Sequence, residues 1–232
     1  FDLEHEVYPL IAEQERNGFM FDRAAAVELY AILVKKRLEL EAKLKERFEW
    51  WFRPGASFTP KKDNAKKGYV AGATMTKLKI VEFNPRSRDH IADRLMKLRG
   101  WRPTSFTDGG KPEVNEEIIA ALPYPEAPLI GEMLMVEKRI SQLAEGDHAL
   151  LKHYNEEDHR IHGGVLINGT VSGRAAHVYP NLAQVPQPRS PYGKEFRACF
   201  IAPDGMVLVD ADASGLELRM LAHYLARYDE GE

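Results

Sequence analysis

The sequence predicts an α+β fold, in which a helical first part, residues 1–158, precedes a smaller mixed α/β part, residues 159–232. Two observations carry this prediction. Apolar residues recur at helical steps along the first part, and short apolar runs separated by Gly and Pro turns follow Asp158. The 232 residues are 44% hydrophobic, which is enough for a buried core, so we expect one large or two small folded domains.

The longest predicted helix follows Asp22, a residue type that caps helix N-termini. Apolar residues then recur at three-, four- and seven-residue steps and would form one face, with basic residues opposite. They are Leu29, Leu33, Leu40, Leu44, Phe48 and Trp51. A shorter helix, about 3–16, precedes it and ends at Asn17-Gly18, so we expect two antiparallel helices of unequal length.

The segment from Arg53 to Gly72 lacks this periodicity and predicts an exposed basic loop, punctuated by Gly and Pro. Its lysines are opposed only by Asp63; they are Lys61, Lys62, Lys66 and Lys67. A charge run of this kind is most often a solvated surface, and a binding surface is the alternative.

Three shorter helices complete the first part. One begins at Ser87 or Asp89 and ends at Gly100, a second begins at Asn115 or Glu116, and a third spans about 129–144. A turn at 107–112 separates the first two.

The second part predicts strands at 161–167 and 206–211, and the latter run is apolar enough to be buried. A turn at 203–205 precedes the second strand. An amphipathic helix follows Ser214-Gly215.

The junction between that strand and helix contains the most informative residues. Asp210 and Asp212 stand two apart and would project from the same face of a strand. Carboxylate oxygens suit Mg²⁺, and the N–H groups of the next helix could receive a phosphate. The alternative is that Asp212 only caps the helix, and on spacing alone capping is favoured.

Composition excludes several classes of protein. The net charge of -3 argues against a globally basic nucleic-acid binder, so such a role needs a local patch. The single Cys199 excludes a disulfide framework and a Cys-based zinc site and suits a reducing, cytoplasmic compartment. No apolar run is long enough to span a membrane, and no secretory leader opens the chain. Because the chain begins with Phe1, we expect a piece of a longer protein.

Several sequence blocks closely resemble family A DNA polymerases, most nearly the branch from T-odd bacteriophages. In the second part the blocks are 172–177, 179–186, 197–202, 212–219 and 221–223; in the first part they are 14–19, 84–91 and 137–142. The resemblance implies a helical thumb subdomain with a basic loop, followed by the first part of a mixed α/β palm with an antiparallel sheet.

The resemblance also implies an active site. Asp212 would be the first catalytic aspartate and would bind both Mg²⁺ ions, joined by the backbone carbonyl of Ala213. The backbone N–H groups of Ser214, Gly215 and Leu216 would bind the triphosphate. Glu217 would exclude a ribose 2′-hydroxyl. An ordinary first-turn Glu is the competing explanation of Glu217. Asp210 departs from the family pattern.

Four further residues match positions that contact DNA in the family. Arg174 would reach the minor groove at the primer terminus, and a surface arginine in a turn is the alternative. Asn181 and Gln184 fall in a block that contacts template and primer, and His177 would add a contact.

The implied function is part of a DNA-directed DNA polymerase acting on primer-template DNA and dNTP. The fingers helix and the second palm aspartate would belong to a remaining fingers and palm portion, so we expect no polymerisation by this chain alone. The basic loop would hold the duplex backbone; a thioredoxin-like processivity factor is an alternative partner, disfavoured by the short loop. Competing hypotheses are a non-catalytic duplex-binding module, one subunit of a split polymerase, and a generic α/β protein.

Overall fold

A computed structural model describes residues 2–228, and within that range it contains seven α-helices and seven strands. The helices are α1 Asp2–Asn17, α2 Arg23–Phe48, α3 Arg88–Arg99, α4 Glu116–Ala120, α5 Ala127–Ile140, α6 Gly193–Ala198 and α7 Leu216–Leu225. The strands are β1 Phe19–Met20, β2 Trp50–Phe58, β3 Met75–Glu82, β4 Tyr154–Asn155, β5 Arg160–Ile161, β6 Gly164–Leu166 and β7 Ala176–Val178. Helices with small antiparallel sheets confirm the predicted α+β class.

The core forms where α2 packs against α5. Asp22 caps α2 by accepting a hydrogen bond from the backbone N–H of Ala25 at 2.9 Å, as predicted. The apolar face of α2 is buried from Leu29 to Phe48. Trp51 is also buried, but it lies in β2 and not in the helix, because Glu49 ends the helix with a φ of 48°.

Helix α1 ends as predicted, at Gly18, whose φ is +58°. The two helices expected to run antiparallel make their main contacts elsewhere, since α2 packs on α5 and α1 contacts β6. The reason is that α1 has no buried face: none of its side chains from residue 4 onward is buried, and Tyr8 and Leu10 are exposed.

Strands β2 and β3 form an antiparallel hairpin with a bulge between Pro54 and Ser57. The prediction of a loop beginning at Arg53 is therefore wrong for residues 53–58. The alternation typical of a strand is confined to its start, where Trp50 and Phe52 are exposed and Trp51 is buried, so the pattern of 53–58 itself did not indicate a strand. The connection between the strands spans 59–74, and its four lysines are exposed as predicted.

The shorter helices of the first part follow their predicted signals. Ser87 caps α3 and Asn115 caps α4, each through its side-chain oxygen, and Gly100 ends α3 in the left-handed conformation. The predicted turn closes through hydrogen bonds between Thr107 and Lys111. After α5, residues Ser141–Glu145 continue as a π-helix, so the predicted helix over 129–144 is nearly matched.

The predicted strand over 161–167 is divided into β5 and β6. Strand β5 lies between β1 and β4 in one sheet, and β6 pairs with β7 in another. The first sheet joins residues on both sides of position 158.

The predicted buried strand over 206–211 is wrong. The turn before it forms, with Met206 N–H donating to Pro203 O at 3.0 Å, but Val207 and Val209 are 81% and 86% exposed. A strand needs neighbours for its backbone groups, and none of the described strands pairs with this run. Helix α7 forms as predicted, yet it buries no side chain. No helix within residues 2–228 is long and apolar enough to cross a membrane.

Candidate functional site

The connection between β6 and β7 positions Arg174. Thr170 organises it, because its hydroxyl accepts from the Arg174 N–H at 2.9 Å and donates to the Arg174 carbonyl at 3.0 Å. Gly173, at φ +78°, makes the tight bend before Arg174. The side chain of Arg174 is exposed. His177 lies in β7 opposite Val165 and is half-buried.

The guanidinium of Arg174 donates a hydrogen bond to the carboxylate of Glu217, in the first turn of α7. This contact joins the β6–β7 connection to the segment that holds Asp212. The start of α7 has its own brace, because Arg219 Nε donates to the Ser214 carbonyl at 2.9 Å. Two residues that the sequence assigned to primer and nucleotide contacts therefore lie together.

The segment before α7 is open to solvent. Within residues 2–228, Asp212 is exposed and makes no hydrogen bond or ion pair. The alternative of Asp212 as a helix cap is therefore wrong: Gly215, at φ 62°, occupies the cap position without a side-chain bond. The N–H of Leu216 donates to the Ala213 carbonyl at 3.3 Å, whereas the N–H groups of Ser214 and Gly215 have no partner in the described range.

The described residues supply one carboxylate that suits Mg²⁺ but do not enclose a metal ion by themselves. The described residues hold no group of three or more His, Cys, Asp or Glu side chains able to enclose a metal ion. Mg²⁺ is commonly held by one or two carboxylates together with substrate phosphates. The unpartnered carboxylate of Asp212 fits such a role as one ligand. Asp210 faces elsewhere, into an open cavity of about 470 Å³ that Arg197 and Leu208 also line.

Asn181 and Gln184 lie in a proline-rich segment that follows β7 and includes a short 3-10 turn, Leu182–Gln184. Both residues line an open cavity of about 360 Å³ with Gln142 and His148. The side-chain Oδ1 of Asn181 is buried without a hydrogen-bond partner among the described residues. The side chain of Gln184 is exposed, so it is available to a ligand.

Three side chains from other elements donate hydrogen bonds to backbone carbonyls of this proline-rich segment. The sequence predicted no role for two of them, Arg139 and Gln142. Gln142 Nε2 donates to the Gln184 carbonyl at 3.3 Å, and Arg139 Nε donates to the Pro191 carbonyl at 3.4 Å. Arg197, expected to be supporting structure, donates to the Pro186 carbonyl at 2.9 Å. The spacing of Arg139 and Gln142 is the sequence feature that could have indicated a shared role, since residues three apart lie on one face of a helix.

The four lysines lie in the 59–74 connection of the β2–β3 hairpin. Two of them occupy a 3-10 turn, Ala65–Lys67, that Asn64 caps by accepting from the Lys67 N–H at 3.2 Å. Asp63, the acidic residue among them, accepts a hydrogen bond from the Ala71 N–H at 2.7 Å. The lysine ammonium groups therefore stand around a locally ordered turn.

Comparisons with known proteins show the family to which this chain is related. The model of DNA polymerase family A matches residues 62–228. The DNA-directed DNA polymerases of Escherichia phage T7 and Enterobacteria phage T3 are each 43% identical to this chain over 283 aligned positions. Those alignments cover 100% of this chain and 40% of each phage protein. The chain thus spans about two fifths of the length of these relatives.

A bacterial relative and a solved structure extend the comparison. DNA polymerase I of Caldicellulosiruptor bescii is 28% identical over 96% of this chain and 22% of its own length. The fold also resembles the POL domain of Pol1 from M. smegmatis in complex with DNA primer-template and dNTP. That likeness has a TM-score of 0.66 at 19% identity and covers 97% of this chain and 34% of the other. With its family match over most of its length and its full-length similarity to the phage enzymes, the chain belongs to DNA polymerase family A.

Proposed function

We propose that this chain forms the part of a DNA-directed DNA polymerase that holds primer-template DNA and supplies the first metal-binding aspartate. The observation that carries the proposal is the 43% identity to two phage DNA-directed DNA polymerases along the whole chain. In this proposal residues 1–158 form the thumb-like region, and residues 159–232 form the first part of the palm. The remaining fingers and palm portion completes the active site.

Two bound Mg²⁺ ions would activate the primer 3′-hydroxyl and neutralise the charge of the triphosphate and departing pyrophosphate. Asp212 would hold both ions, and the Ala213 carbonyl would join it through the lone pair that Leu216 leaves free. The unpartnered N–H groups of Ser214 and Gly215 would receive the dNTP phosphates. Leu216 would contribute its N–H only by giving up its bond to Ala213.

Glu217 would face the sugar of the incoming nucleotide and exclude a ribose 2′-hydroxyl. Arg174 would exchange its bond to Glu217 for the minor groove of the terminal base pair. Purine N3 and pyrimidine O2 are acceptors at similar places there, so one donor tests base-pair geometry without reading sequence. The Arg174–Glu217 contact would thus couple occupancy of the primer site to the nucleotide site.

The other DNA contacts would lie on both sides of this pair. His177, Asn181 and Gln184 would contact template and primer. The lysines of the 59–74 connection would hold the duplex backbone, a contact that needs charge but no sequence. A thioredoxin-like processivity factor is the alternative partner of that connection.

Complementation tests the proposal. The chain is mixed with a polypeptide that carries the remaining fingers and palm portion, and extension of a labelled primer is measured with Mg²⁺ and dNTP. We expect extension only in the mixture, and its loss in Asp212→Ala. Asp204→Ala is the matched control, since Asp204 is also exposed and lies in the preceding turn.

Other outcomes separate the competing functions. Binding of primer-template DNA without extension in any mixture would favour a non-catalytic duplex-binding module. Failure to bind DNA together with failure to complement would favour a generic α/β protein.

A further inference from the structure

The segment from Pro180 to Pro191 contains four prolines, which have no N–H to donate. Its backbone is therefore fixed largely through its carbonyl oxygens. Three of these accept hydrogen bonds from side chains of other elements: Gln184 from Gln142, Pro186 from Arg197, and Pro191 from Arg139. The Gln184 carbonyl is the one that belongs to a proposed DNA contact.

Arg139 controls which way the Gln142 amide faces. Its Nη1 donates to Gln142 Oε1 at 3.0 Å, and a guanidinium can only donate. The oxygen of the amide is therefore directed to Arg139, and its Nε2 is left to face the Gln184 carbonyl, which can only accept. The two contacts form a directional chain from α5 to the 3-10 turn of Gln184.

Arg139 is an unusual residue for a purely structural role. It is only 8% exposed, and its described hydrogen bonds go to neutral acceptors, the Gln142 amide and the Pro191 carbonyl. The nearby Glu116 is paired with Lys138 at 3.7 Å. Burial lowers the pKa of Arg139, which is the physical sign that a charge is being kept in an unfavourable place. A buried cation without a hydrogen-bonded carboxylate is seldom the most stable choice for a core.

We propose that Arg139 and Gln142 are positioning residues that hold the backbone of Gln184, so that its exposed side chain is presented to primer-template DNA. This inference rests on the proposed function, because it takes Gln184 as a DNA contact. Arg139 and Gln142 themselves act through Gln184.

Gln142→Glu is the informative variant. The carboxylate keeps the length of the side chain and still accepts from Arg139, so the core contact remains. It cannot donate to the Gln184 carbonyl, so the second contact is lost. Gln142 is half-buried, and the variant should fold with an unchanged or higher melting temperature.

A double-mutant cycle on the full chain supplies the test. Affinity for a labelled primer-template duplex is measured by fluorescence anisotropy for the unmodified chain, Gln142→Glu, Gln184→Ala and the double variant. Gln184→Ala leaves its backbone carbonyl in place, so it removes only the DNA contact. We expect each single variant to bind roughly two- to tenfold more weakly, the value of one hydrogen bond. We expect the double variant to bind no more weakly than Gln184→Ala alone.

The cycle also isolates the new negative charge. Electrostatic repulsion by Glu at position 142 would persist in the Gln184→Ala background, whereas a positioning effect would disappear. Additive losses would therefore overturn the inference while leaving the proposed function intact. A Gln184→Ala variant that binds DNA normally would overturn both the inference and the assignment of Gln184. Gln142→Met, which neither accepts nor donates strongly, should reproduce the loss without any change of charge.

Discussion

Arg174 and Glu217 are hydrogen-bonded to each other although 43 positions separate them in the sequence. Their side chains are 73% and 80% exposed, so water screens the pair and it adds little to stability. The contact matters because it links two distant segments of the chain. It joins the end of the β6–β7 connection to the first turn of α7, and it occupies the guanidinium for which we propose a DNA contact.

Replacing Arg174 should therefore affect DNA binding and not folding. We expect Arg174→Ala to weaken binding of primer-template DNA about tenfold, the value of one hydrogen bond from a charged donor, with an unchanged melting temperature. Glu217→Gln should strengthen binding slightly, because it releases Arg174. Anisotropy titrations and thermal melts check both. Arg102→Ala is the control, since Arg102 is exposed and distant in sequence; equal losses in both arginine variants would mean that only net charge matters.

The lysines of the 59–74 connection should determine the salt dependence of binding. If each neutralises one phosphate, replacing all four with Ala should reduce the slope of log K against log[salt] by about 3 to 4. The measurement is affinity for duplex DNA over a series of salt concentrations. A control variant removes the same charge from Lys35, Lys43, Lys45 and Arg102. An unchanged slope in the loop variant would show that these lysines are only a solvated surface.

Glu145 should make folding sensitive to acid. Its carboxylate accepts two bonds from Arg37, at 2.8 and 2.9 Å, and one from Tyr30 at 3.0 Å. Burial alone would raise the pKa of Glu145, but these hydrogen bonds outweigh it and hold that pKa below its ordinary 4.5. Because the folded-state pKa is lowered, the stabilisation is present above pH 4.5 and is lost as the pH falls through the folded value.

We therefore expect Glu145→Gln to lose about 1–2 kcal/mol of unfolding free energy at pH 7 and to show a weaker decline in acid. Urea unfolding at pH 7 and near pH 4 measures both. Glu137→Gln is the matched comparison. Burial raises the pKa of Glu137 although Arg86 donates to its Oε2 at 3.2 Å, and its Oε1, 3.6 Å from Arg37 Nη1, has no hydrogen-bond partner among the described residues. Its contribution should decline as the pH rises, so this variant should be less destabilised than Glu145→Gln at pH 7.

Gly193 should tolerate no side chain. A Cβ there would lie 1.8 Å from the carbonyl oxygen of Gln187 and 2.9 Å from Ser190 Oγ. The first contact is with backbone, so the proline-rich segment itself would have to move. We expect Gly193→Ala to lose about 3 kcal/mol or more of unfolding free energy. Gly109→Ala, whose Cβ would meet its nearest atom at 3.9 Å, should leave the unfolding free energy nearly unchanged. Calorimetric unfolding of both variants measures the difference.

Cys199 should destabilise the fold at alkaline pH. The residue is 1% exposed, and burial raises the pKa of its thiol to about 11 from an ordinary 9.0. Since the unfolded thiol ionises first, stability is unaffected by this group below pH 9 and falls as the pH rises to about 11. The full effect is about 2–3 kcal/mol. Chemical unfolding at pH 8 and pH 10.5 should show the decline, and Cys199→Ala should lessen it; an identical decline in that variant would assign it to other groups.

Features that depend on neighbours in the sequence were predictable. The caps at Asp22, Ser87 and Asn115 each accept from an N–H three residues ahead, so sequence alone places them. Trp51 shows the limit of periodicity. It follows Phe48 by three positions and is buried, as a helix would require, but the chain has already changed to a strand.

In the candidate site, too, residues in contiguous motifs were predictable and contacts between distant residues were not. The resemblance predicts roles for Asp212 and Arg174 because their motifs are contiguous in the sequence. It gives no role to Gln142, whose partner Gln184 is 42 positions away. The apolar run at 206–211 predicted a strand, yet a strand depends on pairing partners that no property of the run itself can reveal.

The position of the four lysines depends on how the β2–β3 hairpin is anchored to the core. The β2–β3 hairpin exposes Phe52 and Ile80 on one face, and a two-stranded ribbon is marginally stable by itself. Trp51 fastens the opposite face, with the Arg94 guanidinium 3.8 Å from its ring centroid and His90 edge-on at 5.1 Å. Val81 of β3 packs against the core beside it. The lysines therefore stand at the end of the ribbon away from this anchor, and the pairing of β2 with β3 sets their distance from the contact between α2 and α5.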